Sequence, residues 1–409
     1  MIQLTEIKRR SDLGLVAAAL FLAGVGVCLI YSTGQGPLAA ARANLYLKQL
    51  IWLGGGLVAL AAAAALPLRF YDGLAKLLYV FSLVALGAVL VVGEERFGAK
   101  RWLDLGGFLL QPSEFAKVAV ILLLARMLSD RRKDWTRFRS LTLPLLLALI
   151  PTVLVFEEPD LGTALSLVFI LFGMLYWAGV PALTLAVLVL PLASMLCSFW
   201  WWVWLIFFGL QWVVLHYSGL PVVHYVFVMV GNGVIGAVSN KVWNSLEDYQ
   251  KQRIISFLSS GVDRLGAGYQ AVQSKIAIGS GSIVGTGFLK GTQKSLAFLP
   301  QQQTDFIFAV LGEEFGFLGC LIVVGLYAFI IWKGISIAVR SRSRFASLVC
   351  AGVVSLLLYH VGLNILMTLG LAPVTGLPLP FLSYGGSALI TCLALIGVMA
   401  GISARVHEL

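Results

Sequence analysis

Apolar runs long enough to span a membrane occur along the whole length of this chain. About twelve of them approach the 20 or so apolar residues that a helix needs to cross a bilayer. They lie at residues 13–31, 48–67, 73–93, 114–129, 141–156, 161–179, 181–198, 199–217, 221–238, 305–333, 345–371 and 382–403. The stretch from Pro181 to Val238 is almost uninterrupted, so its division into three spans is an interpretation. The pattern predicts an all-α polytopic membrane protein.

Composition agrees with a membrane protein and argues against a nucleic-acid binder. The chain is 59% hydrophobic and 12% charged, with a formal net charge of +10. Its basic residues lie mainly in the loops between apolar runs, where they indicate topology and contact with anionic lipid. The cysteines lie inside apolar runs, which favours packing roles. We therefore expect one integral-membrane domain, residues 1–409.

The distribution of lysine and arginine predicts which loops face the cytoplasm, since short cytoplasmic loops carry an excess of positive charge. Alternate loops are basic, at residues 8–10, 69, 130–139, 340–344 and 405. Both termini are therefore predicted to be cytoplasmic.

The loops on the opposite side hold the carboxylates that stand at the ends of apolar runs. They are residues 94–111, 157–160 and 239–304. The third is too long for a plain connector, and we expect a large extracytoplasmic loop with a working role. Arg101, with Lys100 and Trp102, breaks the charge rule in the first loop. Two cations beside an amphipathic ring suit an interfacial anchor or a lipid phosphate.

Asp305 stands where the long outer loop meets an apolar run. A carboxylate at such a boundary is either a helix start, favoured by the N-terminal dipole, or a functional group. Glu313 lies further along the same run, about 12 Å deeper on a regular helix, beside Glu314. Because two adjacent carboxylates in a span are costly, at least one should face a cavity or a buried partner.

The segment QPSEFAK, residues 111–117, opens the fourth predicted helix. Glu114 and Lys117 are three positions apart and can form an ion pair, which lowers the cost of charge in the membrane. The pair is either structural, or Lys117 anchors a phosphate with Glu114 as its partner. Asp160 opens the sixth predicted helix, and capping is the favoured role.

Residues 373–387 contain three prolines and three glycines, which disfavour a regular helix. Irregular backbone at membrane depth must line protein or water. On the preceding run, His360 and Asn364 share one helix face and could meet in a polar cavity, although packing contacts are the commoner role of such residues.

Several long motifs resemble the shape, elongation, division and sporulation (SEDS) family of cell-wall polymerases. They are GAKRWLDLGGFLLQPSEFAK (98–117), PDLGTA (159–164), YQKQRIISFL (249–258), GAGYQAVQSKIAIGSGS (266–282), GTQKSLAFLPQQQTDFIFAVLGEE (291–314) and GLPLPFLSYGGSAL (376–389). Their number and order make the resemblance specific, and it spans most of the chain. QSKIAIGSG followed by GTQ favours the elongation branch over the division branch.

The resemblance implies a SEDS fold and a peptidoglycan glycosyltransferase that polymerises lipid II outside the cytoplasmic membrane. It also implies a partner, a class B penicillin-binding protein. The essential aspartate of the family falls on Asp305, and its buried ion pair falls on Glu114 and Lys117. Since relatives usually have ten spans, residues 199–238 are interpreted as an inserted helical pair.

Glycosyl transfer needs a base near the acceptor hydroxyl and positive charge near the departing pyrophosphate. Asp305 is predicted to be that base or to hold a divalent cation, Mg²⁺ or Mn²⁺. The candidate pyrophosphate contacts are Arg101, Lys117 and Lys275. Further candidates for substrate binding are Asp160, Gln293 and Glu313.

The chain departs from the family pattern in three places. The pattern GSGG..GKG has Ser282 and Thr286 here, so its lysine is absent. LPE.HTD reads LPQQQTD at residues 299–305, which leaves Asp305 more isolated as a titratable group. Leu366 stands where a glycine is common.

Three other functions compete with the polymerase. A lipid II flippase would also use a polar cavity, broken helices and buried charges. A scaffold would only position the penicillin-binding protein. A division-type paralogue would share almost every motif.

Overall fold

The computed structural model describes residues 12–35, 44–96, 99–104, 109–135, 138–198, 200–217, 222–245, 251, 269–291 and 301–405. These residues form mainly helices, as predicted. The helices are α1 Leu13–Thr33, α2 Leu45–Ala65, α3 Leu68–Val92, α4 Pro112–Leu128, α5 Phe138–Glu157, α6 Leu161–Trp177, α7 Ala182–Cys197, α8 Trp201–Tyr217, α9 Val222–Ser245, α10 Tyr269–Ser280, α11 Ile307–Arg340, α12 Arg344–Thr368 and α13 Gly386–Ala404.

Seven helices of the described ranges are long and apolar enough to cross a membrane. They are α1, α2, α3, α5 from Arg139 onward, α11, α12 and α13. Shorter apolar helices lie at Leu161–Trp177, Trp201–Val213 and Val228–Ser239. The helices thus have the lengths and composition of a multi-pass membrane protein. The total of twelve spans and the side of the termini stay predictions.

A small antiparallel sheet lies between α3 and α4, where the all-α expectation is wrong. Its strands are β1 Glu94–Arg96, β2 Ala99–Asp104 and β3 Leu109–Leu110, in the order β1-β2-β3. In the register of the strands, Lys100 lies opposite Glu95 and Leu103 lies opposite Leu110. The segment is too polar to continue as a span, and strand pairing satisfies its backbone groups instead. The sheet places Arg101 on its middle strand.

Contacts between helix ends distinguish the two ends of the bundle. At one of them, basic side chains bind neighbouring helix ends. These contacts join Lys333 to Asp12 (3.0 Å), Arg126 to Asp72 (3.7 Å), Arg344 to the Ala178 carbonyl (3.1 Å) and Arg405 to the Leu66 carbonyl (2.7 Å). This is termed the basic end. The opposite end, where α4 and α13 begin and α1 and α12 finish, is termed the site end.

Helices α4, α12 and α13 form the buried centre of the bundle. Helix α13 approaches α2 at backbone distance. A Cβ atom on Gly397 would lie 2.3 Å from the Leu60 carbonyl oxygen, and one on Gly401 would lie 2.7 Å from that of Ala64. Small residues one turn apart permit such close packing of membrane helices.

Helices α7, α8 and α9 form a three-helix unit at the edge of the bundle. They pack on one another, and α7 packs on α6. The Trp204 indole donates to Ser194 Oγ (3.0 Å), and the Ser194 hydroxyl donates to the Asn232 carbonyl (2.9 Å). The three helices agree with the predicted division of residues 181–238. Helix α9 runs to Ser245, so the segment predicted to form the outer loop begins later than residue 239. The interpretation of 199–238 as an insertion stays a prediction.

Helix α11 is broken at Gly316, although residues 305–333 were predicted to be one span. Gly316 has φ 64° and ψ −163°, so a short helical segment, residues 307–315, precedes a longer one, residues 317–340. The break frees backbone groups that a bilayer cannot satisfy. Residues 282–287 supply the partners, through Thr286 N–H to Glu313 O (2.9 Å), Gly287 N–H to Glu314 O (3.1 Å), Phe317 N–H to Ser282 O (2.9 Å) and Leu318 N–H to Ile283 O (3.0 Å).

Glycines permit these backbone hydrogen bonds between residues 282–287 and α11. A Cβ atom on Gly281 would lie 1.9 Å from the Gly312 carbonyl oxygen, and one on Gly285 would lie 2.1 Å from that of Glu314. Both Gly285, with φ 84°, and Gly316 adopt left-handed conformations that favour glycine. The glycines of residues 281–287 therefore reflect close backbone approach to α11.

Candidate functional site

A non-helical segment, residues 373–385, lies at the centre of the site end and is termed the proline loop. Side chains from three helices bind its carbonyl groups. Asn364 Nδ2 donates to Leu377 (2.8 Å), the Tyr327 hydroxyl donates to Pro380, and Gln49 Nε2 donates to Ser383 (3.2 Å). The predicted irregular backbone is present, and protein groups satisfy it, as membrane depth requires.

The predicted contact between Glu114 and Lys117 is present. Lys117 Nζ lies 2.8 Å from Glu114 Oε1, and the two residues are 1% and 3% exposed. His360 Nε2 lies 3.3 Å from the same ammonium nitrogen. A cavity of about 10 Å³, the room one water molecule needs, borders Glu114 and His360. Because Lys117 has almost no exposed surface, its charge organises the interior rather than meeting a ligand directly.

Asp305 stands immediately before the short helical segment of α11, half-buried. Its carbonyl accepts a hydrogen bond from Asn364 Nδ2 (3.0 Å). The two preceding carbonyls bind the proline loop: Tyr384 N–H donates to Gln303 (2.8 Å), and the Ser383 hydroxyl donates to Thr304. Asp305 lies one residue before the N-cap, Phe306, and therefore stands at the start of this helical segment, as predicted. Asp305 is thus held on a rigid backbone.

Glu313 and Glu314 are each 1% exposed. Glu314 accepts a hydrogen bond from the hydroxyl of Ser32, at the last turn of α1. The Glu313 carboxylate packs against Gly291, whose added Cβ atom would lie 2.7 Å from Oε2. The prediction of a buried partner is confirmed. The predicted depth of Glu313, about 12 Å beyond Asp305 on a regular helix, stays a prediction.

Arg101 and Asp160 hold the connection between α5 and α6. Arg101 Nε donates to the Glu158 carbonyl (3.1 Å), and its Nη2 donates to the Pro159 carbonyl. Asp160 accepts from Thr163 N–H (3.1 Å) and from Thr163 Oγ1 (2.9 Å). The predicted capping role of Asp160 is confirmed. A further contact, from Gln111 Nε2 (3.4 Å), joins this connection to the start of α4.

Lys275 lies on α10, which docks over the end of α12. The Ser274 hydroxyl donates to the Thr368 carbonyl (2.7 Å), and an added Cβ atom on Gly370 would lie 2.1 Å from Lys275 Cε. The lysine is exposed, and its side chain lies across the C-terminal end of α12, where the helix dipole is negative. It keeps a surface that a phosphate could reach.

The sequence as a whole matches one family model. That model, described as cell cycle protein and named for FtsW, RodA and SpoVE, matches residues 13–208 and 203–408. The chain belongs to the FtsW/RodA/SpoVE family. The predicted SEDS membership is therefore confirmed.

Relatives of this family member are similar over most of their length. Peptidoglycan glycosyltransferase MrdB of Escherichia coli K12 is 37% identical over 347 residues, 85% of this chain and 82% of MrdB. Peptidoglycan glycosyltransferase RodA of Treponema pallidum is 34% identical, covering 96% of this chain and 98% of RodA. Stage V sporulation protein E of Bacillus subtilis is 32% identical, covering 98% and 99%.

Solved structures show the same fold. One comes from work on the structural coordination of polymerization and crosslinking by a peptidoglycan synthase complex. It has a TM-score of 0.75 and 31% identity, and the match covers 97% of this chain and 99% of that one. The crystal structure of Thermus thermophilus RodA has a TM-score of 0.64 and 26% identity, with 97% of each chain covered. The chain therefore shares its overall fold with these proteins.

Sequence reasoning missed one residue of this FtsW/RodA/SpoVE-family site, Glu158. Its side chain is 0% exposed, and both carboxylate oxygens lack a hydrogen-bond partner in the described residues. Burial, and then the Asp160 carboxylate, raise the pKa of Glu158 to about 8, while Arg101 opposes the shift. The group therefore holds a proton at neutral pH. Nothing in the sequence distinguishes it from its exposed neighbour Glu157.

The remaining predicted site residue of this family member, Gln293, lies outside the described residues, as does most of the motif at 249–258. The structure brings the other candidates to one end of the bundle. Glu114, Lys117 and Asp305 converge on the proline loop and α12. Arg101 and Asp160 join that group through Gln111, whereas Lys275 and Glu313 border it.

Proposed function

We propose that this chain is a peptidoglycan glycosyltransferase of the elongation type, which joins lipid II units into glycan strands. The observation that carries the proposal is the placement of Asp305: a carboxylate on a fixed backbone, connected through α12 to a buried ion pair, at one end of a membrane bundle. Relatives named peptidoglycan glycosyltransferase, at 34% and 37% identity, support the reaction type.

The site end is proposed to face the outside of the bacterial cytoplasmic membrane. Support comes from the basic end, where Lys333, Arg126, Arg344 and Arg405 gather, as expected of a cytoplasmic face. Counting α1 to α9 and α11 to α13 as spans gives about twelve and leaves both termini in the cytoplasm. Helix α10 and the proline loop then lie at the outer surface, where a lipid-linked sugar is accessible.

In the proposed reaction, the Asp305 carboxylate accepts the proton of the acceptor sugar's 4-hydroxyl. The hydroxyl oxygen forms a bond to C1 of the donor sugar. The bond from C1 to the pyrophosphate oxygen breaks, and its electron pair leaves with the undecaprenyl pyrophosphate. Arg101 and Lys275 are the proposed cations near that leaving group. Lys117 acts from the interior, since its ammonium is bound to Glu114.

A divalent cation, Mg²⁺ or Mn²⁺, is a second proposed ligand of Asp305. In the described ranges, no group of three or more His, Cys, Asp or Glu side chains is arranged to hold a metal. Gln302 and Gln303, however, each have a buried Oε1 atom without a hydrogen-bond partner in the part of the chain that the structure describes. Amide and carboxylate oxygens suit hard cations, and Mg²⁺ often binds one carboxylate together with substrate phosphates. When bound, the ion would neutralise charge on the pyrophosphate.

A class B penicillin-binding protein is the proposed partner. Support comes from the similar structure that was solved as part of work on a peptidoglycan synthase complex coordinating polymerization and crosslinking. A polymerase at the outer membrane face delivers its glycan strand where a transpeptidase can cross-link it.

Purified protein with labelled lipid II tests the proposal. We expect glycan polymer from the wild type, and a loss of about 100-fold or more in Asp305→Asn, since the base would be removed without a change in size. The matched control is Asp130→Asn, an exposed carboxylate outside the site. A chelator should abolish polymerisation, and added Mg²⁺ or Mn²⁺ should restore it.

Three results would contradict the proposal. Lipid II translocation without polymer would indicate a flippase. Binding of the penicillin-binding protein, without polymer or translocation, would indicate a scaffold. Full activity of a correctly folded Asp305→Asn protein would remove Asp305 from the chemistry while leaving the polymerase assignment intact.

A further inference from the structure

One polar face of α12 touches both halves of the candidate site. His360 and Asn364 stand one turn apart on this face and are 4% and 0% exposed. His360 lies 3.3 Å from the Lys117 ammonium, and Asn364 donates to the Asp305 carbonyl at 3.0 Å. The ion pair and the aspartate are therefore connected through a single rigid helix.

The chemistry of its neighbours defines the state of His360. The Lys117 ammonium has no lone pair, so His360 Nε2 can only accept a hydrogen bond from it. Because Nε2 accepts, the neutral imidazole carries its proton on Nδ1. The ring also lines the same small cavity as Pro378 of the proline loop. His360 therefore lies between Lys117 and the proline loop.

Asn364 makes the corresponding connection for Asp305. Its Nδ2 group donates to two carbonyls, Asp305 at 3.0 Å and Leu377 at 2.8 Å. Two carbonyl acceptors require the amide nitrogen at this position, so the orientation of the side chain is determined. An aspartate of the same shape could donate to neither carbonyl.

Asn364 therefore binds Leu377 of the proline loop, and His360 lines the same small cavity as the next residue, Pro378. We propose that His360 and Asn364 are positioning residues of the transferase, which hold Asp305 in register with the Glu114–Lys117 pair. Neither side chain has surface for a substrate, so each acts through the groups that it holds. The inference rests on the proposed function, since it assigns these residues a part in that reaction.

The test measures kcat and KM for lipid II polymerisation by the full chain, together with the thermal unfolding midpoint. We expect His360→Leu and Asn364→Asp to lower kcat by about tenfold to 100-fold with KM within about twofold, because small displacements of a reacting group are costly. His360→Gln, which places an acceptor oxygen near Nε2, should stay within about threefold of the wild type. The control is Ser355→Ala, since among the described residues that hydroxyl bonds to the Ala351 carbonyl of its own helix (2.8 Å) and to no group of the site.

A purely structural role would lower the unfolding midpoint and leave kcat of the folded protein within about threefold, and that result would overturn the proposal. If His360→Leu does not fold, a cycle of Glu114→Gln, Asn364→Asp and the double variant replaces it. If the two residues belong to one network, the loss of kcat in the double variant should be no larger than the loss in the more impaired single variant. Losses of kcat that multiply in the double variant would refute the connection. Absence of polymer from the wild type would instead refute the proposed function.

Discussion

Glu158 offers a direct measure of the electrostatics of the site end. Its pKa rises from 4.5 to about 8, because the carboxyl is buried and lies near Asp160. In the folded protein the group keeps a proton that the unfolded chain releases above pH 4.5. The stability of the fold must therefore fall as pH rises from about 4.5 to about 8, and then level off.

The size of the effect follows from the shift. One pKa unit corresponds to about 1.4 kcal/mol, so the full penalty is about 5 kcal/mol above pH 8. At pH 7 it is about 3 kcal/mol, and at pH 5 about 1 kcal/mol. Glu158→Gln removes the titrating group but keeps its size. The stability of the variant relative to the wild type should therefore increase by about 4 kcal/mol from pH 5 to pH 9.

Thermal unfolding in detergent at pH 5, 7 and 9 provides the assay. The control is Glu157→Gln, the exposed neighbour at the end of α5, which should show no such trend. A constant difference between Glu158→Gln and the wild type across this range would refute the reasoning. It would mean that Glu158 is hydrated or paired, and that its carboxyl is not the buried acid described above.

Two further perturbations test the packing of the site end. Gly316→Ala should destabilise the protein by about 2 kcal/mol or more, because φ is 64° and the new Cβ atom would lie 2.4 Å from Gly285 N. Gly325→Ala, in the same helix with open space around it, should be neutral or slightly stabilising in the same unfolding assay. Glu114→Gln or Lys117→Met alone should cost about 3–5 kcal/mol by leaving a buried charge unpaired, and the double variant should recover most of that loss. Additive losses in the double variant would show that the ion pair is not the source of the cost.

Hydropathy predicts the regular part of this fold closely. The run at residues 345–371 forms α12 at Arg344–Thr368, and the run at 73–93 falls within α3. These helices are determined locally, because a membrane requires every backbone group of a span to be satisfied within the helix. The three-residue spacing of Glu114 and Lys117 is local in the same sense, so their contact was predictable.

The break at Gly316 was not predictable, because the run at 305–333 is long and mainly apolar and the partners of the freed backbone groups lie about 30 positions earlier in the chain. The burial of Glu158 was not predictable for a similar reason. Its burial depends on Arg101, which reaches the Glu158 carbonyl from the middle strand of a sheet that apolar patterns do not reveal. The sequence suggested that His360 and Asn364 share a face, but their partners come from three separate segments.

Polar chemistry at the end of a membrane bundle needs irregular backbone, and irregular backbone at that depth needs partners. This chain satisfies the requirement by joining its irregular segments to one another. Residues 282–287 bind the carbonyls and N–H groups freed at Gly316, while the carbonyls of Gln303 and Thr304 bind the proline loop. The short helical segment between these two anchors begins just after Asp305. The position of the carboxylate therefore depends on both anchors, because either one alone would let the segment pivot about the other.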